Sequence, residues 1–179
     1  MTTPEAADLL AFWKDAGQKR WFTEDEAFDA TLRDRFLAQH ERAAAGKLDA
    51  TWTRDGESAL ALVILLDQFP RNAFRGTARA FATDASARGI ADRALAAWFD
   101  VAVPEELRFF FYLPFQHSES LTDQDRSVAL HERIGMPEWA IKHREIIRRF
   151  GRFPHRNAVL GRTTTAEEQA FLDAGGFAG

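Results

Sequence analysis

The sequence predicts an all-α fold, about eight to ten helices at ordinary helix lengths, in a single domain over residues 1–179. Three observations predict it. No stretch alternates apolar and polar residues as a half-buried strand must, and no hairpin turn lies between two such stretches. Capping residues repeatedly precede apolar residues at three- and four-residue spacing, with Gly or Pro closing the run. A hydrophobic content of 46%, with sixteen Phe and five Trp, supplies a full core for 179 residues.

Taken in order, Thr3-Pro4 reads as an N-cap followed by Pro at the first helical position, and Gly17 as the stop. Thr23-Glu24-Asp25-Glu26 has the spacing of a capping box with Thr23 as the cap. Phe28, Leu32 and Phe36 then recur along a long helix that Gly46 ends. From Ala59 to Leu66 the chain is apolar on all sides, so this helix must be enclosed by its neighbours, and Pro70 is expected to end it. Further helices are predicted over 84–100, 105–113, from Thr122 to Gly135, from Pro137 to Phe150, and after the capping box Thr165-Ala166-Glu167-Glu168. The apolar run at 59–66 is too short to span a bilayer, and the first residues carry no export pattern. The expectation is therefore a cytoplasmic protein with no membrane association. Cysteine is absent, which excludes disulfides and thiolate metal sites.

The net charge of -4 conceals an asymmetry: residues 142–162 hold seven Lys/Arg against one acid, Glu145. A cationic segment on an acidic protein can recruit an anion, or its arginines can pair with acids elsewhere in the chain. The overall acidity, with no basic-aromatic platform, argues against nucleic acid.

Four groups of residues stand out chemically. Asp67 lies in the most apolar helix, where a desolvated carboxylate must be neutral or paired; Arg71 and Arg75 are close enough in sequence to serve, and Arg156 could do so across the fold. His143 falls on the apolar stripe of Trp139, Ala140, Ile146, Ile147 and Phe150, with Arg144 on its border. His117-Ser118-Glu119 could form a proton-transfer pair or supply metal ligands, and its spacing does not choose between them. Lastly, Phe69-Pro70-Arg71-Asn72-Ala73 is echoed by Phe153-Pro154-His155-Arg156-Asn157-Ala158, with His155 inserted, and Arg152 and Arg162 flank the second copy. Their donors suit a carboxylate or phosphate; Asn72 and Asn157 could equally cap helices.

These stretches, together with Pro114-Phe115-Gln116-His117-Ser118-Glu119, closely resemble a mainly bacterial family catalogued as domain of unknown function 924. The likeness runs from Phe12-Trp13 to Phe171, with Gln116 where many relatives have Met. It implies an all-helical, tetratricopeptide-like stack of antiparallel helix pairs and no established activity. The usual 34-residue tetratricopeptide consensus is lacking, so peptide binding does not transfer with the architecture.

The leading functional expectation is a binding protein in which these polar stretches converge on one pocket for an anionic small molecule or acidic peptide. In it Arg152 and Arg156 hold the anion, Asn72 and Asn157 orient it, Arg71, His143, Arg144 and His155 line the site, and Glu119 positions a histidine. The alternatives are a hydrolase-like enzyme using His117 with Glu119 or Asp67 as base, with or without a metal, and an interaction scaffold whose polar residues are internal struts. No motif specifies a cofactor, a reaction or an oligomeric state.

Overall fold

A computed structural model of the chain describes residues 1–177. Among these every regular element is helical, as expected. The ten α-helical segments are α1 (Pro4–Trp21), α2 (Glu26–Ala44), α3 (Asp49–Trp52), α4 (Gly56–Ala73), α5 (Asp84–Ala96), α6 (Glu105–Arg108), α7 (Leu113–Gln116), α8 (Leu121–Glu132), α9 (Glu138–Phe150) and α10 (Ala166–Asp173). The chain divides into two compact units: one of Met1–Arg75 and Arg79–Pro114, the other chiefly of the chain beyond Pro114. No Gly/Ser-rich linker marks that division in the sequence. Among the described residues no helix is long and apolar enough to cross a membrane.

The first unit is built on α4, which packs against α1, α2, α3 and α5. Its residues from Ala59 to Leu66 are all buried, as a helix with no polar face requires. Each Leu, Ile or Val enclosed there contributes about 1.5–3 kcal/mol. Pro70 does not end this helix: α4 continues through it to Ala73. A proline ring lacks the N–H that would bond the carbonyl four residues back, here Leu66, and it crowds that carbonyl aside. Side chains fill the gap. Thr83 Oγ1 donates to Leu66 O (2.5 Å), His40 Nδ1 to Leu65 O (2.8 Å) and Arg71 to Asp67 O (2.7 Å). Three successive carbonyls thus accept side-chain donors, two of them from outside α4, and the helix survives its proline.

Other ends also differ from expectation. Gly17 does break the helical conformation (φ 71°, ψ 167°), but the chain resumes helix to Trp21. Asp25, not Thr23, caps α2, its Oδ1 accepting from Phe28 N (3.0 Å). The helix expected over 84–100 stops at Ala96 because Trp98 takes a left-handed conformation (φ 60°), and a 3-10 turn, Phe99–Ala102, follows. The run expected over 105–113 is broken into α6, a 3-10 turn at Phe109–Phe111, and α7, which contains Pro114. Ser120, not Thr122, sits at the N-cap of α8.

The second unit packs α8 on α9. Ala140, His143, Ile146 and Ile147 form the buried face of α9, and Gly151 closes that helix in the left-handed conformation. Ile146, Ile147 and Phe153 make a small core on which Phe150, Phe171 and Phe177 pack. The predicted capping box at Thr165/Glu168 is formed and opens α10. The two Phe-Pro…Arg-Asn-Ala stretches are not structural copies. Pro70 lies inside α4, whereas Pro154 opens a 3-10 turn after α9 has closed.

Candidate functional site

In the first unit Asp67, Arg71 and Asn72 are neighbours on the last turns of α4. Asp67 is fully buried, with Arg71 Nη1 at 3.3 Å and Gln68 Nε2 donating at 2.6 Å. The same guanidinium grips Asp84 at the start of α5 through two hydrogen bonds (2.8 and 3.0 Å). Burial opposes the charge on Arg71, but the carboxylates of Asp67 and Asp84 outweigh it and raise its pKa. Asn72 donates to Gln68 O (3.3 Å) and accepts from Arg75 (2.9 Å), which also bonds Asp29 (3.1 Å). This is a clamp that fastens α5 to the proline-containing end of α4. Arg75, one of the three partners offered for Asp67, binds Asn72 and Asp29.

The second unit contains the remaining expected residues. Glu119 accepts two hydrogen bonds from Arg162 (2.7 and 3.0 Å) and one from Phe153 N–H (2.8 Å). Burial alone would raise its pKa; the bonds from Arg162 and Phe153, with the charges of Arg162 and Arg156, turn the balance and lower it. Arg152 forms a two-bond pair with Glu168 (2.6 and 2.8 Å), whose Oε2 also accepts from Asn157 Nδ2 (3.2 Å) and Thr165 N–H (2.8 Å). Donation by Arg152, then by the Thr165 N–H, holds the Glu168 carboxyl at about 2. Arg152, Asn157 and Glu119 therefore act here as fasteners. Arg144 lies at ion-pair distance from Asp125 (3.6 Å) and Glu145 (3.5 Å).

Removing the guanidinium by Arg152→Met is expected to return the Glu168 carboxyl toward its ordinary value. Stability held by a depressed carboxylate is present above the unfolded pKa and lost as pH falls through the folded one. The wild type should thus keep α10 docked further into acid than the variant. Carboxyl-detected NMR titration of both proteins reads this; an unshifted Glu168 midpoint would refute the clamp.

The other residues gather around His143, which is buried at 4% exposure. Its Nδ1 lies 2.8 Å from Trp139 O. A carbonyl only accepts, so Nδ1 carries the hydrogen and Nε2 of the neutral ring is the acceptor. The pKa is lowered to about 3, first by burial, then by the charge of His117, with Arg156 and His155 adding to it. Its ring centre is 6.3 Å from that of His117 and 5.6 Å from that of Phe153. Phe153 lies 5.6 Å from His155 and has the Arg156 guanidinium over its face at 4.5 Å.

Three residues that matter here are not among the expected site residues. His131 bonds its own helix at Ser127 O (2.9 Å), is buried, and has its pKa lowered by burial and then by the charge of His117. It follows Gln124, Ser127 and Val128 at helical spacing on the buried face of α8, and that periodicity was the available signal. Glu168 was visible only as a capping-box residue. Phe177, beyond the last helix, carried no periodic signal. No group of three or more His, Cys, Asp or Glu able to hold a metal ion occurs among the described residues.

The profile of a family described as a bacterial protein of unknown function, DUF924, matches residues 9–176. The chain belongs to this family. A solved structure, of a protein of unknown function from Agrobacterium tumefaciens, is similar at 51% identity with a TM-score of 0.92, covering 94% of this chain and 97% of that one. No functionally curated protein matches the chain. Family membership thus accounts for the ordered motifs, and the chemistry of this DUF924 member has to be argued from its own side chains.

Proposed function

We propose that this DUF924 member is a cytoplasmic binding protein that takes an anionic group, carboxylate or phosphate, at the His117–His143–His155–Arg156 cluster of its second unit. One observation carries the reading: His117, at 6.3 Å between ring centres, and His155 and the Arg156 guanidinium, both seated against Phe153, gather three nitrogen-bearing side chains around the buried His143 ring. The guanidinium of Arg156, and either neighbouring imidazole once protonated, offers donors to an anion, and the Glu119 carboxylate, whose pKa the Arg156 charge helps to lower, is the negative group that anion must compete with. The roles first assigned to Arg152 and Asn157 are better read as bracing, since both bind Glu168. Glu119 is a weak candidate for a general base, because both of its oxygens already accept hydrogen bonds from Arg162 and Phe153 N–H and its lowered pKa reduces its affinity for a proton.

Thermal unfolding against acetate, inorganic phosphate and a set of divalent metals tests the proposal. At about tenfold over Kd an anion is expected to raise Tm by roughly 2–4 °C. Arg156→Ala should lose that response. An equal response in the variant, or none in the wild type, would sink the reading; a response to metals alone would favour the enzyme alternative. Fractionation of the native host checks the cytoplasmic assignment.

A further inference from the structure

The chain beyond α10 returns to the histidine cluster. Gly175 has φ +74°, a conformation that favours glycine, and a Cβ at Gly176 would lie 2.5 Å from Phe171 O and 2.6 Å from its ring. The turn is therefore built on two glycines, and no larger residue at 176 could make it without moving Phe171. What the turn delivers is Phe177. Its ring centre lies 4.5 Å from His143 at 62°, 5.4 Å from His155 at 82°, and 6.3 Å from Trp139 at 53°. The two imidazoles thus meet it edge to face and the Trp139 indole lies tilted against it, so rings enclose Phe177 from three directions. Phe177 also packs on the core of Ile146, Ile147 and Phe153, yet it stays only half-buried.

We propose that the box of Trp139, His143 and His155 is a binding site for the ring of an aryl anion, and that Phe177 is its built-in competitor. The proposal rests on the anion-binding reading of the same cluster and adds the ligand class: a planar aromatic ring carrying a carboxylate or phosphate. The ring takes the place of the Phe177 side chain. Its anionic group meets the nitrogens of His117, which lies 6.3 Å from His143 between ring centres, and of His155 and Arg156, both against Phe153, with the Arg156 guanidinium over that ring at 4.5 Å. An aliphatic anion would use only the second half of this site and would leave Phe177 in place. An aryl anion must displace the Phe177 side chain, so its apparent affinity is reduced by the fraction of molecules in which the box is filled.

Calorimetric titration of the full chain and of Phe177→Ala with phenylacetate, phenyl phosphate, acetate and inorganic phosphate tests this. Removing the competitor is expected to tighten aryl-anion binding by roughly tenfold, the gain when a site open about a tenth of the time becomes fully open. Acetate and phosphate should bind the two proteins alike, and the preference between the two aryl ligands identifies the anionic group. Aryl affinity that is unchanged or weaker in Phe177→Ala overturns the competitor, while binding of acetate or phosphate would leave the anion reading standing. Absence of all binding in both proteins overturns both. Should Phe177→Ala fail to fold, NMR titration of the wild type with phenylacetate decides: His143 and Phe177 resonances must shift together with one midpoint, and a shift of His143 alone refutes the exchange.

Discussion

Replacing Arg71 with methionine is expected to destabilise the protein by about 3–5 kcal/mol, the usual consequence of leaving one member of a buried ion pair behind. Methionine preserves much of the apolar stem, so the loss reports the charge rather than a cavity. Asp67 is fully buried, and in the wild type the guanidinium lies 3.3 Å from it while holding Asp84 through two bonds. The variant loses both attachments. Two further measurements separate this from general loosening. Adding Asp67→Asn should recover a large part of the deficit, since a neutral amide no longer demands a counter-charge. The deficit should also shrink as pH is lowered toward about 4, because a carboxyl stripped of its cation is protonated more readily folded than unfolded. Urea denaturation of the three proteins at two pH values reads all of this. A loss below about 1 kcal/mol at neutral pH would place the pair among ordinary surface bridges.

The second large effect is acid sensitivity centred on His143. Its pKa is lowered from 6.5 to about 3 in the fold, so between those values the unfolded chain holds a proton that the folded chain refuses. The sign follows: this contribution to stability is intact above the unfolded value and declines as pH falls below it. Each pH unit lost corresponds to about 1.4 kcal/mol, which gives about 2 kcal/mol between pH 6.5 and 5, and an upper bound of about 5 by pH 3. His40 and His131, both lowered chiefly by burial, act in the same direction. His143→Gln should therefore flatten the wild-type dependence over this range without abolishing it. Parallel slopes in the two proteins would show that the ring is not held neutral.

Much of this was legible in the sequence because it is local. The caps at Thr3 and Thr165, the all-round apolar run of α4 and the inward face of α9 depend on residues within one or two turns of each other. So does the pairing of Asp67 with Arg71, one helical turn apart. What was not legible depends on partners distant along the chain. Nothing near Glu119 announces that Arg162 and the Phe153 N–H will take its oxygens, and nothing near Arg152 announces Glu168. The same blindness explains the error at Pro70. A proline is expected to end an isolated helix, and here Thr83, reaching in from another segment, donates to the one carbonyl that Pro70 leaves without its amide partner.

That arrangement ties residue 70 to residue 83. Thr83 hydroxyl reaches Leu66 O because an imino acid has no hydrogen to offer there; any ordinary residue at 70 would present its own amide and contest the oxygen. The two sites are therefore expected to be coupled, so that the stability changes of Pro70→Ala and Thr83→Val in a double-mutant cycle are not additive. Among natural variants of this chain, exchanging the imino acid removes the reason to keep a hydroxyl thirteen positions later, so the pair should be inherited or abandoned together.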